Sequence, residues 1–138
     1  MNRLVFNPLT EDYESPHYPE DLELVPWTIE ALKNAKEGYL LFLVSNQPSF
    51  SFAKGKTTLG HIRSIHDKFH NYIADYGIIF TAYYYCYHHP NGIIPEYTCT
   101  RECRKPSLYF LLKAKKEFNL DMENSIVFPY YFDLEKMA

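Results

Sequence analysis

Apolar residues along this chain fall into two spacings: short unbroken runs, and longer stretches with one every three or four positions. Residues 27–36 are of the second kind, with Trp27, Ile29, Ala31, Leu32 and Ala35 apolar and Gly38 as a stop, which predicts an amphipathic helix. The run 39–44 that follows is wholly apolar between turn signals, the pattern of a strand buried on both faces of a parallel sheet. Residues 59–75 return to helical spacing, with Ile62, Ile65, Phe69, Tyr72 and Ile73 on one face. Residues 78–85 are rich in β-branched and aromatic side chains and read as a strand, and 107–118 as a third amphipathic helix. Short runs at 4–6 and 125–128 predict an opening and a last strand. Residues 7–21, rich in acids and proline, predict a loop.

The predicted order is β, α, β, α, β, loop, α, β. That alternation predicts an α/β fold, a small Rossmann-like, mostly parallel sheet flanked by helices. Ligands of such sheets sit beyond the carboxyl ends of the strands. Ser45 and the loop that begins at Cys86 each follow a strand directly, so both are expected to face one crevice. The 138 residues suit a single domain, 1–138, large enough to bury a core without disulfides, and no internal repeat interrupts it.

Composition narrows the picture further. The formal charge of −3 argues mildly against a general nucleic-acid binder, although Lys and Arg cluster between Arg101 and Lys116. No window approaches the roughly 18 apolar residues of a membrane span. The opening Met1-Asn2-Arg3-Leu4-Val5-Phe6 is interrupted by Pro8 too early to read as a signal peptide, which points to the cytoplasm.

The candidate chemistry is concentrated in a loop of about 86–105. Cys86, Cys99 and Cys103 are the only cysteines, and with His88 they supply four soft or borderline ligands, the number a structural zinc site needs. Clustered beside histidine with no export signal, they predict reduced thiols and metal in place of disulfides. The bland alternative is buried thiols beside a surface histidine. Arg104 and Lys105 follow Cys103 directly, and a backbone pinned by a metal ligand would aim both cations at one phosphate; otherwise they form a solvated charge pair. Lys54 and Lys56, in a glycine-containing loop, suit a second phosphate or open solvent equally well. His61, His66 and His70 fall near one helix face and read as solvent-facing.

A specific set of segments now stands out in order: Leu43-Val44-Ser45-Asn46-Gln47, Ala53-Lys54-Gly55, Tyr85-Cys86-Tyr87-His88-His89-Pro90 and Cys103-Arg104-Lys105-Pro106. With Leu24-Val25-Pro26 and Glu30-Ala31-Leu32 before them, the chain resembles the haloacid-dehalogenase-type (HAD) phosphatases from about Leu22 to Val127. Within these it is similar to the D-glycero-D-manno-heptose 1,7-bisphosphate and histidinol-phosphate phosphatases. The resemblance implies phosphomonoester hydrolysis by a monomer acting on a phosphorylated sugar, with neither nucleic acid nor membrane as partner. It implies a magnesium ion beside the structural zinc. It places Ser45 and Lys105 in the catalytic set, and Ser45, Asn46, Gln47, Lys54, Arg104 and Lys105 against the substrate. Positioning and charge neutralisation are most of what phosphoryl transfer asks of a protein.

The same resemblance exposes departures. The family carries Asp-x-Asp-Gly after its first strand, the first Asp as nucleophile and the second as acid and base. Here Leu4-Val5-Phe6 runs into Asn7-Pro8-Leu9-Thr10-Glu11-Asp12, so no nucleophile is identifiable and Asp12 is the nearest aspartate. The family's late Gly-Asp…Asp magnesium motif has no counterpart after 125–128, where Asp133 is the only aspartate close by position. The usual Cys-x-Cys before Arg-Lys-Pro would place a cysteine at Arg101; Cys99 stands in its place, with His89 as the other substitute. The expectation is therefore an impaired phosphatase, or else an inactive relative or partial gene product that binds a phosphorylated ligand or partner without turnover.

Overall fold

The computed structural model describes residues 5–7, 12–14, 18–47, 58–98, 103–104 and 107–127, the first two segments as backbone only. Strand β1 (Val5–Asn7) pairs antiparallel with β2 (Asp12–Glu14), Phe6 standing opposite Tyr13. The expected loop over 7–21 thus contains a strand, and β1 opens a hairpin.

Helix α1 (Thr28–Lys36) begins one residue later than expected, leaving Trp27 exposed at its N-cap. Strand β3 (Phe42–Asn46) is displaced toward the C-terminus relative to the apolar run. Tyr39 and Leu40 are exposed and lie before it, while Ser45 and Asn46, expected to follow the strand, are inside it. Its residues are half-buried, so it is not the doubly covered strand that its composition suggested. Helix α2 (Leu59–Ala74) is capped by Thr58, whose side chain accepts from the His61 amide at 3.1 Å. Such a cap satisfies one of the orphan donors of a helix start. Ile62, Ile65, Phe69 and Ile73 are buried as the spacing predicted, but Tyr72 is exposed.

Strand β4 (Ala82–Cys86) runs parallel to β3, with Leu43 opposite Tyr83, Ser45 opposite Tyr85 and Asn46 opposite Cys86. It begins later than the expected 78–85 because Ile78 and Phe80 are spent on the core ahead of it, where the Thr81 amide already donates to the Leu41 carbonyl. Helix α3 (Tyr109–Phe118) ends at Asn119, which takes the left-handed conformation at φ 50° and donates its amide to Lys115. Asn tolerates that geometry better than most residues. The expected strand at 125–128 is not formed over 125–127, where Ile126 and Val127 are exposed; Phe128 lies outside the described residues.

Strand alternation assigns the two faces of the β3–β4 pair. One face meets α2: Phe69, Ile73, Ile78 and Phe80 form the core, with Leu22, Leu24, Ile29, Leu32, Leu41, Leu43 and Tyr83 packed around it. The other face meets α3. There Tyr84 stacks on Phe110 (5.2 Å between centroids), Phe42 meets Phe118 edge-on (5.2 Å), and the Tyr84 hydroxyl donates to Glu117 at 2.7 Å.

Candidate metal and phosphate site

The carboxyl ends of β3 and β4 lie side by side because the strands are parallel and in register, Asn46 against Cys86. The Gln47 amide extends the ladder by donating to the Cys86 carbonyl at 2.6 Å. Ser45, Asn46 and Gln47 are therefore brought beside the start of the cysteine loop. Within the loop, Pro95–Tyr97 forms one 3₁₀ turn, and the His89 amide donates to the Tyr97 carbonyl at 3.0 Å, folding the loop back on itself.

Cys86, His88 and Cys103 converge, their donor atoms all within 4.8 Å of one another. His88 Nδ1 stands 4.0 Å from Cys86 Sγ and 3.8 Å from Cys103 Sγ. Cys86 and Cys103 are joined as a disulfide, with Cα atoms 5.7 Å apart. The same two sulfurs belong to the candidate metal cluster, so a disulfide and a metal-bound thiolate pair are alternative states of one site. The reason is proximity: two cysteines close enough to share an ion are also close enough to bond to each other. A disulfide leaves no thiolate for a metal.

With both thiols reduced, the donor set fits zinc. Tetrahedral ligation puts a sulfur and an imidazole nitrogen about 3.6 Å apart, a few tenths of an ångström from the distances found. Cys99, the expected fourth ligand, lies outside the described residues, as do Lys54 and Lys105. His89 is not in the cluster; its Nδ1 accepts from the Asn91 amide at 3.0 Å. The hard, oxygen-seeking magnesium ion does not suit two sulfurs and an imidazole. The cluster of Cys86, His88 and Cys103 is the one candidate metal group among the described residues, so none of them is assigned to magnesium.

Arg104 is half-buried and its Nη1 donates to the His88 carbonyl at 3.3 Å. That contact ties the cation to the loop that carries the cluster. Gln47 Nε2 donates to Ser45 Oγ at 2.9 Å. The sequence pattern signalled neither contact, since each depends on how two chain segments meet.

On the face opposite Cys86, which is also the face of Ser45, His66 and His70 correct a further expectation. They are not solvent-facing: His66 stacks on Tyr85 (3.8 Å, 7°) and His70 on Tyr83 (3.7 Å, 24°). His70 Nε2 also hydrogen-bonds the Tyr85 hydroxyl at 3.0 Å. Burial, then the neighbouring His70, lower the pKa of His66 from 6.5 to about 4, against a smaller opposite pull from Asp67. Burial also pushes the Tyr85 hydroxyl well above the ordinary phenol range. The signal available in sequence was the period of two in Tyr83, Tyr85 and Tyr87 set against histidines four apart.

No protein-family model matches the chain. Individual relatives do. The chain is 35% identical over 83% of its length to the D-glycero-β-D-manno-heptose-1,7-bisphosphate 7-phosphatase of Yersinia pestis. It is 30% identical over 83% of its length to the enzyme of that name from Escherichia coli K12. It is a relative of the heptose-1,7-bisphosphate phosphatases. The matched part spans 60% of the Yersinia protein and 59% of the Escherichia one. Among solved structures, the D,D-heptose 1,7-bisphosphate phosphatase of B. bronchiseptica, complexed with magnesium and phosphate, superposes with a TM-score of 0.64 at 21% identity. That match covers 79% of this chain and 58% of the other. A candidate HAD-like phosphatase from Mesorhizobium loti superposes at 0.68, also 21% identical, over 78% of this chain and 52% of that one. The fold of this relative is thus the HAD-like α/β fold with a parallel sheet flanked by helices. No helix among its described residues is long and apolar enough to cross a membrane.

Proposed function

We propose that this chain is a sugar-phosphate phosphatase of the heptose-1,7-bisphosphate type, acting as a single-domain monomer in the cytoplasm. The observation that carries the reading is that the loop bearing the Cys86–His88–Cys103 cluster and Arg104 leaves β4 beside the end of β3 that bears Ser45, in a chain whose relatives bear that name. Ser45 donates a hydrogen bond to the phosphoryl group. Lys105, next in sequence to Arg104, neutralises its charge, and Arg104 holds the substrate, with Asn46 and Lys54 as further substrate contacts. Fixed donors and cations of this kind lower the barrier because they need no reorganisation as charge develops.

A reducing compartment keeps Cys86 and Cys103 as thiols. Together with His88 and Cys99 they then hold zinc, and the bound ion supplies a crosslink that pins the loop, a closed set of four ligands leaving no position for reactive water. Two charged residues directly after a pinned cysteine lose less entropy on binding phosphate than they would on a free loop.

A second reading, binding without turnover, is favoured by one observation: no Asp-x-Asp-Gly occurs anywhere in the 138 residues. Phosphate release from D-glycero-β-D-manno-heptose 1,7-bisphosphate, with added magnesium and a Lys105→Ala control, separates the two. The expected result is magnesium-dependent release that falls at least about 100-fold in the control, in line with loss of a transition-state charge partner. Asp12→Asn then tests Asp12 as the nucleophile. Saturable binding with no release from folded, zinc-loaded protein establishes the second reading in place of the first.

A further inference from the structure

We infer that Gln47 is a positioning residue that turns Ser45 into a directed donor for a phosphate oxygen; this rests on the reading of Ser45 as a phosphate contact. The expectation for Gln47 was direct contact with substrate, but its side chain is already committed. Nε2 donates to Ser45 Oγ at 2.9 Å, while its own backbone amide donates to the Cys86 carbonyl at 2.6 Å. Gln47 is thus anchored at the first cysteine of the metal loop and reaches back across the strand end to the serine.

A hydroxyl has one proton to give and two lone pairs to offer. The Gln47 side-chain amide occupies one lone pair, which leaves the proton as the hydroxyl's unspent capacity. That proton goes to the adjacent Asn46 carbonyl at 3.4 Å, long for an O–H···O bond and readily exchanged for a better acceptor. A phosphate dianion accepts only. An amide donating into the same oxygen polarises the O–H bond and strengthens its donation outward. Ser45 is half-buried, so it meets an arriving ligand without full desolvation of the pair beforehand. The arrangement selects for an anionic acceptor over a neutral hydroxyl, and it ties the orientation of Ser45 to the strand end that carries Cys86.

The test is a double-mutant cycle on the zinc-loaded full chain, read as the Kd for inorganic phosphate by phosphorus NMR, with metal content and far-UV circular dichroism checked for every variant. Ser45→Ala is expected to weaken binding about tenfold, the scale of one charge-assisted hydrogen bond. Gln47→Met, which keeps length and removes the donor, is expected to weaken it about fourfold in the wild type and not at all in the Ser45→Ala background. Equal losses in both backgrounds would mean a merely structural role and overturn the inference, as would no loss in the wild type. If Ser45→Ala itself leaves the Kd unchanged, or the wild type binds no phosphate, the reading of Ser45 falls and takes the inference with it. Should Gln47→Met fail to fold, the Gln47 side-chain amide resonance decides. It should shift in Ser45→Ala, and an unmoved resonance overturns the contact.

Discussion

The two faces of the β3–β4 pair are built differently. The α2 face is a sealed core: Ile73 and Ile78 are fully buried, and the histidines above them are sandwiched on tyrosine rings. The α3 face is open. Ala114 is the one buried residue of that helix, while Leu108, Tyr109 and Leu112 are exposed. Yet Cys86, on the open face, is itself buried, at 1% exposure, and it begins the loop that carries the cluster. Apolar side chains fill the first face, whereas the Cys86–Cys103 link lies at the edge of the second. The strand ends draw on both faces, with Ser45 level with Tyr85 on the first and Cys86 on the second.

The contrast is tested most severely in the sealed core. Ile73→Ala should cost about 2–5 kcal/mol in urea unfolding, whereas Leu112→Ala, with its side chain largely in solvent, should change stability by no more than about 0.5 kcal/mol. Equal costs would erase the distinction between the faces. Next comes the cross-link. In reduced, zinc-loaded protein a strong chelator should lower the Tm by about 5–10 °C, equivalent to about 2 kcal/mol, and raise amide exchange around His88. The oxidised protein, its two sulfurs already joined, should not respond to chelator. The same melt in Ile73→Ala would show whether loop and core fail together or separately.

The smallest expected effect is a pH dependence confined to the sealed face. The folded-state pKa of His66 is depressed from 6.5 to about 4, so the unfolded chain binds a proton more readily. Stability from this group is therefore full above pH 6.5 and is lost as pH falls from 6.5 toward 4. His70, Asp67, Tyr85 and Tyr87 face it, and His70 is lowered in the same direction, chiefly by burial. His66 is partly exposed, so solvent screening reduces the loss to about 1–2 kcal/mol. Urea midpoints between pH 7.5 and 4.5 should fall more steeply in the wild type than in His66→Phe, which keeps the ring stack without the titration. Parallel slopes would assign the acid sensitivity elsewhere.

Much of this architecture was legible from local pattern. The helices begin and end within two residues of expectation, because an amphipathic stripe with a cap or stop is written in contiguous residues. The central strands were recognised but misplaced by a few residues, since an apolar run looks the same whether it pairs or simply packs. Thus Ile78 and Phe80 went to the core, and Ser45 and Asn46 into the ladder. The run 4–6 anticipates β1, but its partner β2 lies in a stretch whose acids and prolines read as a loop. The last strand was over-read from an apolar run alone.

The candidate site divides in the same way. Residue chemistry picked out Cys86, His88 and Cys103, because soft ligands clustered within eighteen residues are rare by accident and need no fold to be noticed. Their joining as a disulfide, the clamp from Gln47 to Ser45, the Arg104 contact with the His88 carbonyl and the stacking of His66 and His70 were all invisible in the linear order. Each depends on the parallel register of β3 with β4 and on what packs across it. Those are contacts between segments, and they follow from the burial energy of the whole chain, which no single stretch encodes.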